Sequence, residues 1–411
     1  MEPIKYDVII VGAGIAGSAA AIFYAKEGYS VLLLEKAHDS THYKKICTHF
    51  IQPSAVPVIR RLGIEDKLLK AGALRNSIEV WSPHGWIRPT IIYRRESEYC
   101  NYGYNITREV FDPIIRDAVN EYELVDVKYS CTVKGLVFDG DQVVGVEGVD
   151  ADKEIFRYFS NLVVAADGRN SRVSKLAALE EKRYPNERFT YYAYFKGVTL
   201  QSGDSSQFWF FGERSLFAYP LADGVTLLCV FEDKKKHDQW KGNIEELFLD
   251  SFKDLPNGPI MQGSVRISDY RGMFDLTSDH RHAGGNGIAA VGDAALAIDP
   301  MSGVGCGWAL QSAEWLVEDT KIGLRSRPML NVSLKRYAAK HYKQLNPHAK
   351  FIFSASLCRP HNFIENMIFK AAAKDEKVAN SLNDFIARNI PVSSFLSVTN
   401  MTRALYAAVF K

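Results

Sequence analysis

The chain has 411 residues, 47% of them apolar and 24% charged, with a formal net charge of +2. That length suits two or three domains around a large core, and so small a charge singles out neither nucleic acid nor acidic substrates. The six cysteines (Cys47, Cys100, Cys131, Cys229, Cys306, Cys358) include no C-x-x-C pair and no His/Cys cluster at metal-ligating spacing, so neither a disulfide framework nor a metal site is expected, and the expected compartment is a reducing cytoplasm.

In chain order, the β-branched run Tyr6 to Val11 feeds into Gly12-Ala13-Gly14-Ile15-Ala16-Gly17. An alanine-rich segment follows to Gly28, and a second apolar run, Val31 to Leu34, ends at Glu35-Lys36. This predicts strand, tight turn, helix and strand. Gly12 permits the turn, Gly14 lets the backbone approach a pyrophosphate at the helix N-terminus, and Gly17 lets the helix pack close to the sheet. Glu35, placed to accept hydrogen bonds from ribose hydroxyls, favours FAD or NAD over NADP. Val8 to Ala25 is 18 residues without a charge, but its glycine order reads as a buried βα unit rather than a membrane span. Glu2 and Asp7 against Lys5 give the wrong charge for a signal peptide, so no targeting segment and no transmembrane helix are expected.

A polar loop, His38 to Lys45, precedes Ile46-Cys47-Thr48-His49. Its lysines, Lys44 and Lys45, either reach a pyrophosphate or are simply solvated. A helix with Pro57, Val58, Leu62 and a terminal Gly63 comes next, then strands over Ser77 to Ser82 and Trp86 to Tyr93. Thr107 is a candidate N-cap for a helix carrying Phe111, Ile114, Ile115 and Ala118 at helical spacing. Arg108 in its first turn opposes the helix dipole and implies a compensating anion, either a cofactor phosphate or a carboxylate. Residues 124 to 165 read as a β-meander with strands at Val125 to Tyr129, Thr132 to Phe138, Val143 to Val149, Glu154 to Tyr158 and Leu162 to Ala166. The last of these, apolar without alternation, is expected to be a buried parallel strand. Asp167-Gly168 then turns into another helix.

Aromatic residues crowd the stretch from 184 to 231. Phe189, Tyr191 and Phe195 fall on one side of a strand and Tyr192 and Tyr194 on the other, which predicts an antiparallel sheet whose aromatic face could wall a pocket for a flat or apolar substrate. A buried strand ending at Gly292-Asp293 is followed by Pro300 and the alternating glycines Gly303, Gly305 and Gly307, backbone that a large planar group can approach. From about 326 the chain reads as helical, and its end, Phe395 to Phe410, reads as a moderately amphipathic packing helix.

Three signatures in this order, Gly12-x-Gly14-x-x-Gly17 with Glu35, Asp167-Gly168 with Ser171, and Gly292-Asp293 with Pro300 and Gly303, resemble the glutathione-reductase-type flavoproteins of the p-hydroxybenzoate hydroxylase group. That group includes aromatic monooxygenases, flavin-dependent halogenases and geranylgeranyl reductases. The resemblance implies an α/β fold: a Rossmann-like FAD-binding domain (1–75, 100–180 and 270–325), an inserted antiparallel β-sheet substrate domain (76–99 and 181–269) and a C-terminal helical region (326–411). It puts the FAD pyrophosphate on Gly12, Ala13, Gly14 and Gly17, with Ala16 beside them, and the adenosine ribose on Glu35, with Lys36 a further cofactor contact. It implies FAD contacts from Lys45, Cys47 and Arg108, from Asp167 and Gly168 (also linked to reduced nicotinamide), and from Gly292 and Asp293. Gly303, Val304 and Gly305 would face the isoalloxazine edge, with Pro300 beside the ring.

The implied activity is that of an NAD(P)H- and O2-dependent monooxygenase. Through a flavin C4a-hydroperoxide it would hydroxylate an aromatic or polyketide-like small molecule, as in secondary metabolism. His49, Tyr192 and Tyr219 are the candidates for a base or hydrogen-bond partner of a phenol. Because there is no second G-x-G-x-x-G, NADPH or NADH would dock transiently or a partner reductase would supply electrons. The halogenase motif W-x-W-x-I-P is not matched by Trp86-Ile87-Arg88-Pro89 or Phe208-Trp209-Phe210. Three alternatives stand beside this reading. One is an ene-reductase acting on an isoprenoid, supported by Phe217-Ala218-Tyr219-Pro220 and by Cys47; another is a halogenase-like enzyme that lacks the tryptophan motif; the third is a non-catalytic binding module.

Overall fold

An apolar run without alternation must be covered on both faces, and β1 (Lys5–Val11) is. In the computed structural model, which describes residues 5–90 and 100–411, Val8, Ile9 and Ile10 are fully buried. β1 leads through the glycine turn into α1 (Ile15–Lys26), and β2 (Val31–Leu34) returns parallel to β1 with Val8 opposite Val31. Alanines dominate the buried surface of α1. Their small side chains let it lie close to two other helices, α2 (Arg108–Val119) and α3 (Gly305–Thr320).

The stretch expected to be one meander is divided. β3 (Val125–Lys128) leaves it and pairs parallel with β2 at the far edge of the main sheet. The two segments expected at Glu154 to Tyr158 and Leu162 to Ala166 are one strand, β4 (Ile155–Ala165). Its first half pairs antiparallel with Gln142–Val149, and its second half runs parallel to β1, Val8 facing Leu162. Between the two expected segments the Ser160 hydroxyl donates to the Leu162 carbonyl (2.8 Å) and the backbone continues. Ile288–Ala290, which is β5, extends the parallel ladder beyond β4.

A second sheet is built mainly from 78–87, 188–233 and 265–273. It is antiparallel except for one joint, where Ser206–Phe210 runs parallel to Ile78–Ser82. The strand expected over Trp86 to Tyr93 covers Gly85–Ile87, and residues 91–93 lie outside the described residues. Phe189, Ala193 and Phe195 pack on one side with Trp209, Trp240, Phe248 and Phe252. Tyr192, Phe208, Phe217, Tyr219 and Phe231 pack on the other side with Ile368, Ala371, Leu382, Phe395 and Ala407.

This corrects the expected aromatic pocket wall, since the C-terminal helices fill that face. Helices α4 (Phe363–Ala372) and α5 (Val398–Phe410) belong to the group that covers it. α5 packs through Ala404, Ala407 and Ala408 and leaves Leu405, Tyr406, Val409 and Phe410 exposed. Among the described residues no helix is long and apolar enough to cross a membrane.

Candidate functional site

A cavity of about 810 Å³ opens where the first residues of α1, α2 and α3 converge. Three helix N-termini make its wall favourable to negative charge, and its side chains add to that. Among the described residues, seven Lys and Arg and four carboxylates line it. The local fold explains how the glycines reach it. Gly12 sits at φ +106°, where a Cβ would lie 2.5 Å from the Ala166 carbonyl oxygen, and a Cβ on Gly17 would lie 1.8 Å from the Gly12 oxygen. A Cβ on Gly14 would meet no protein atom within 4 Å, because Gly14 faces the cavity.

The structure brings most of the expected residues to this cavity. Gly12, Gly14, Ala16, Glu35 and Lys36 line one part of it, Lys45, Cys47 and Arg108 another. Asp167, Gly168, Asp293, Pro300, Gly303 and Gly305 complete the wall. Ala13, Gly17, Gly292 and Val304 stand behind it. The Ala13 N–H donates to Glu35 Oε2 (2.7 Å), the Gly292 N–H donates to Ser312 Oγ (2.9 Å), and Val304 is the buried N-cap residue of α3. Glu35 also accepts the Ala37 N–H (2.9 Å), leaving a lone pair on each oxygen for a further donor. Asp167 Oδ2 accepts the Arg172 and Val173 N–H groups (2.7 and 3.1 Å), so it caps the helix Arg172–Leu176 while also facing the cavity.

The anion that Arg108 requires is supplied by its own helix. Its Nε and Nη2 grip both oxygens of Asp112 at 2.5 and 2.9 Å, and both side chains are buried. Burial works against the charge on Arg108, but Cys306, Asp112 and Cys47 outweigh it and hold the guanidinium firmly protonated. Arg116 follows one turn beyond Asp112 and donates to the Ala13 carbonyl (2.8 Å). Asp112, Arg116, Arg169 and Cys306 line the cavity and were missed in the sequence reading. The i, i+4, i+8 spacing of Arg108, Asp112 and Arg116 is a signal that could have found two of them.

Lys44 Nζ reaches Asp293 Oδ2 at 2.9 Å. Burial alone would raise the Asp293 carboxyl, yet Lys44, Arg169 and Arg108 hold it below the usual carboxylate range. A carboxyl depressed in the folded state contributes its full stability above its unfolded value and loses it as pH falls through the folded one. Lys44 is half exposed, so Lys44→Ala is expected to cost about 1 kcal/mol or less. The same substitution should move the acid limb of the stability curve to higher pH, which urea titrations between neutral and acid pH would measure.

The three candidates for acid–base work lie off the cavity wall. His49 adopts φ +60°. With its Nδ1 accepting the Arg108 N–H (3.1 Å), Nε2 carries the ring proton and donates to the Tyr194 hydroxyl. The Tyr192 hydroxyl donates to the Lys45 carbonyl (2.7 Å), and burial, opposed by Arg271, pushes it up to about 12. Tyr219 is 1% exposed, its ring packed against Phe50, Phe208 and Phe217. Sequence position could not separate these side chains from the wall, because neighbours in the chain such as Thr48 and Phe50 do line it.

The donor set fits FAD: open space at Gly14, free lone pairs on Glu35, a surplus of cations and converging helix N-termini. Fold and site together define an FAD-dependent oxidoreductase. Residues 5–319 match the family described as FAD binding domain, and the chain belongs to that family. Digeranylgeranylglycerophospholipid reductase 1 of Methanococcoides burtonii is 27% identical over 318 residues, covering 75% of this chain and 72% of the relative. Among solved structures, the flavin-dependent brominase Bmp2 superposes with a TM-score of 0.76 at 19% identity, covering 93% of this chain and 94% of that one. PqsL of Pseudomonas aeruginosa, described as a probable FAD-dependent monooxygenase, superposes with a TM-score of 0.67 at 17% identity, over 92% of this chain and 100% of that one.

Proposed function

We propose that this enzyme is an FAD-dependent monooxygenase that takes electrons from NADPH or NADH and oxygenates an aromatic or polyketide-like small molecule. One observation carries the reading. The cavity lies between the core of the main sheet, whose Val11, Ile15 and Leu34 line it, and the apolar cluster of the second sheet, which contributes Ile46, Phe50 and Met273. A site between two cores can hold a charged cofactor against one and an apolar substrate against the other. When bound, FAD supplies the redox chemistry.

The chain's part is to bind, orient and exclude water. Gly12, Gly14 and the α1 N-terminus would hold the pyrophosphate, Glu35 the ribose, and the backbone of Gly303 and Gly305 the ring. Ile46, Phe50 and Met273 keep water from the substrate end. Tyr192 and His49 act from behind the wall. Tyr192 anchors the loop through the Lys45 carbonyl, and His49 joins that loop to the start of α2.

Reduction of an isoprenoid double bond is the second reading, favoured by the similarity to the archaeal reductase and by a thiol, Cys47, on the cavity wall. The two readings separate when the purified protein turns over with NADPH under isotopically heavy O2. Substrate-dependent O2 uptake with one heavy atom in a phenolic or polyketide-like product is expected. An isoprenoid product that gains two hydrogens and no oxygen, formed equally well without O2, would overturn oxygenation.

A further inference from the structure

Three of the six thiols, Cys47, Cys131 and Cys306, line the cavity, and Cys47 and Cys306 neighbour each other there. Cys47 lies in the loop after β2, half-buried and open to the cavity, and its Sγ accepts the His49 N–H at 3.3 Å. Cys306, in the first turn of α3, lines the same cavity, and the two thiols are near enough to influence each other's ionisation. Arg108 Nη1 stands 3.8 Å from the Cys306 sulfur. The pair therefore joins residues 259 positions apart (306 − 47), beside a fixed positive charge and at a helix N-terminus.

The two sulfurs are not equivalent. The neighbouring Cys306 thiol is the main influence holding the Cys47 thiol well below the usual range; burial opposes it, and His49 and Arg108 add to it. Cys306 is pushed up correspondingly by the presence of Cys47 and by burial. Cys100, Cys131, Cys229 and Cys358 are buried, and burial raises each of them. Only one thiol of the six thus combines thiolate character with access from a cavity, the two conditions for reactivity.

We propose that Cys47 and Cys306 form a hydroperoxide-reactive dithiol site that closes to a disulfide. The Cys47 thiolate attacks one oxygen of the peroxide; the O–O bond breaks, an S–O bond forms, and the departing oxygen leaves as water or an alcohol after taking a proton. Cys306 sulfur then attacks the Cys47 sulfenic sulfur, the S–S bond forms, and hydroxide leaves as water with the Cys306 proton. Two thiols are oxidised and one peroxide is reduced. The product ties the loop that carries Lys44 and Lys45 to α3, and a small-thiol reductant reopens it. The site depends on neither oxygenation nor alkene reduction being the main reaction.

The test treats the purified, flavin-containing protein with one equivalent of hydrogen peroxide in the absence of thiol reductants. Two of the six thiols should disappear, peptide mapping should recover Cys47 linked to Cys306, and dithiothreitol should restore both. Cys306→Ser should stop at a Cys47 sulfenic acid trapped by dimedone, and Cys47→Ser should leave Cys306 unreacted. A linkage between other cysteines, or a Cys47 that oxidises no faster than the four buried thiols, would overturn the proposal. The wild-type map is decisive even if either variant fails to fold.

Discussion

Gly17→Ala is expected to destabilise the fold by about 3 kcal/mol and to abolish flavin retention, because the new methyl would have to displace the Gly12 carbonyl that it meets at 1.8 Å. The clash is with backbone in the turn itself, so no side-chain rotation relieves it. Gly14→Ala is the informative contrast. Its methyl enters open space at an extended φ of −74°, so the apoprotein should melt within about 1 kcal/mol of wild type. The flavin-to-protein absorbance ratio after purification should nevertheless fall, since that methyl occupies room on the cavity wall. Denaturant titration of the two apoproteins, set beside their flavin content, measures both effects. Equal loss of stability in the two variants would show that Gly14 serves packing rather than a ligand.

Arg108→Ala is expected to cost about 3–5 kcal/mol, because it strands the buried Asp112 carboxylate without its bidentate partner. Asp112→Ala should cost a similar amount by leaving the guanidinium unpaired, with Cys47 and Cys306 as its remaining neighbours. Replacing both, Arg108→Met with Asp112→Leu, should be less damaging than either truncation, since no buried charge remains. The double variant should still lose flavin, because the cavity gives up the one cation that sits in the first turn of α2. A stability cycle over the four proteins, read with flavin content, separates the structural share of the pair from its share in binding. Arg108→Lys should rescue charge but not the two-pronged geometry, and so fall between wild type and Arg108→Ala.

Much of the nucleotide-binding half was legible from local pattern. The run Val8 to Val11, the glycines at 12, 14 and 17, the alanine-rich α1 and the acid at 35 each state a local requirement: burial on both faces, a left-handed turn, a close helix approach, an acceptor at a strand end. Such requirements act between neighbours in the chain, so residue type and spacing determine them. Where local pattern misled, the competing influence was a distant partner. Val125–Lys128 looked like part of a meander but joined β2, and the aromatic face that looked open was covered by helices from beyond residue 360.

By itself, then, the sequence determined the βαβ unit, its glycine turn, the buried parallel strand that begins at Leu162 and the class of cofactor. Only the tertiary structure decided that Lys44 pairs with Asp293, that His49 and Tyr192 stand behind the wall rather than on it, and that Cys47 and Cys306 line one cavity. Each of these contacts joins segments far apart in the chain. Periodicity and spacing tell which side of an element is buried, but which distant element buries it is settled by packing.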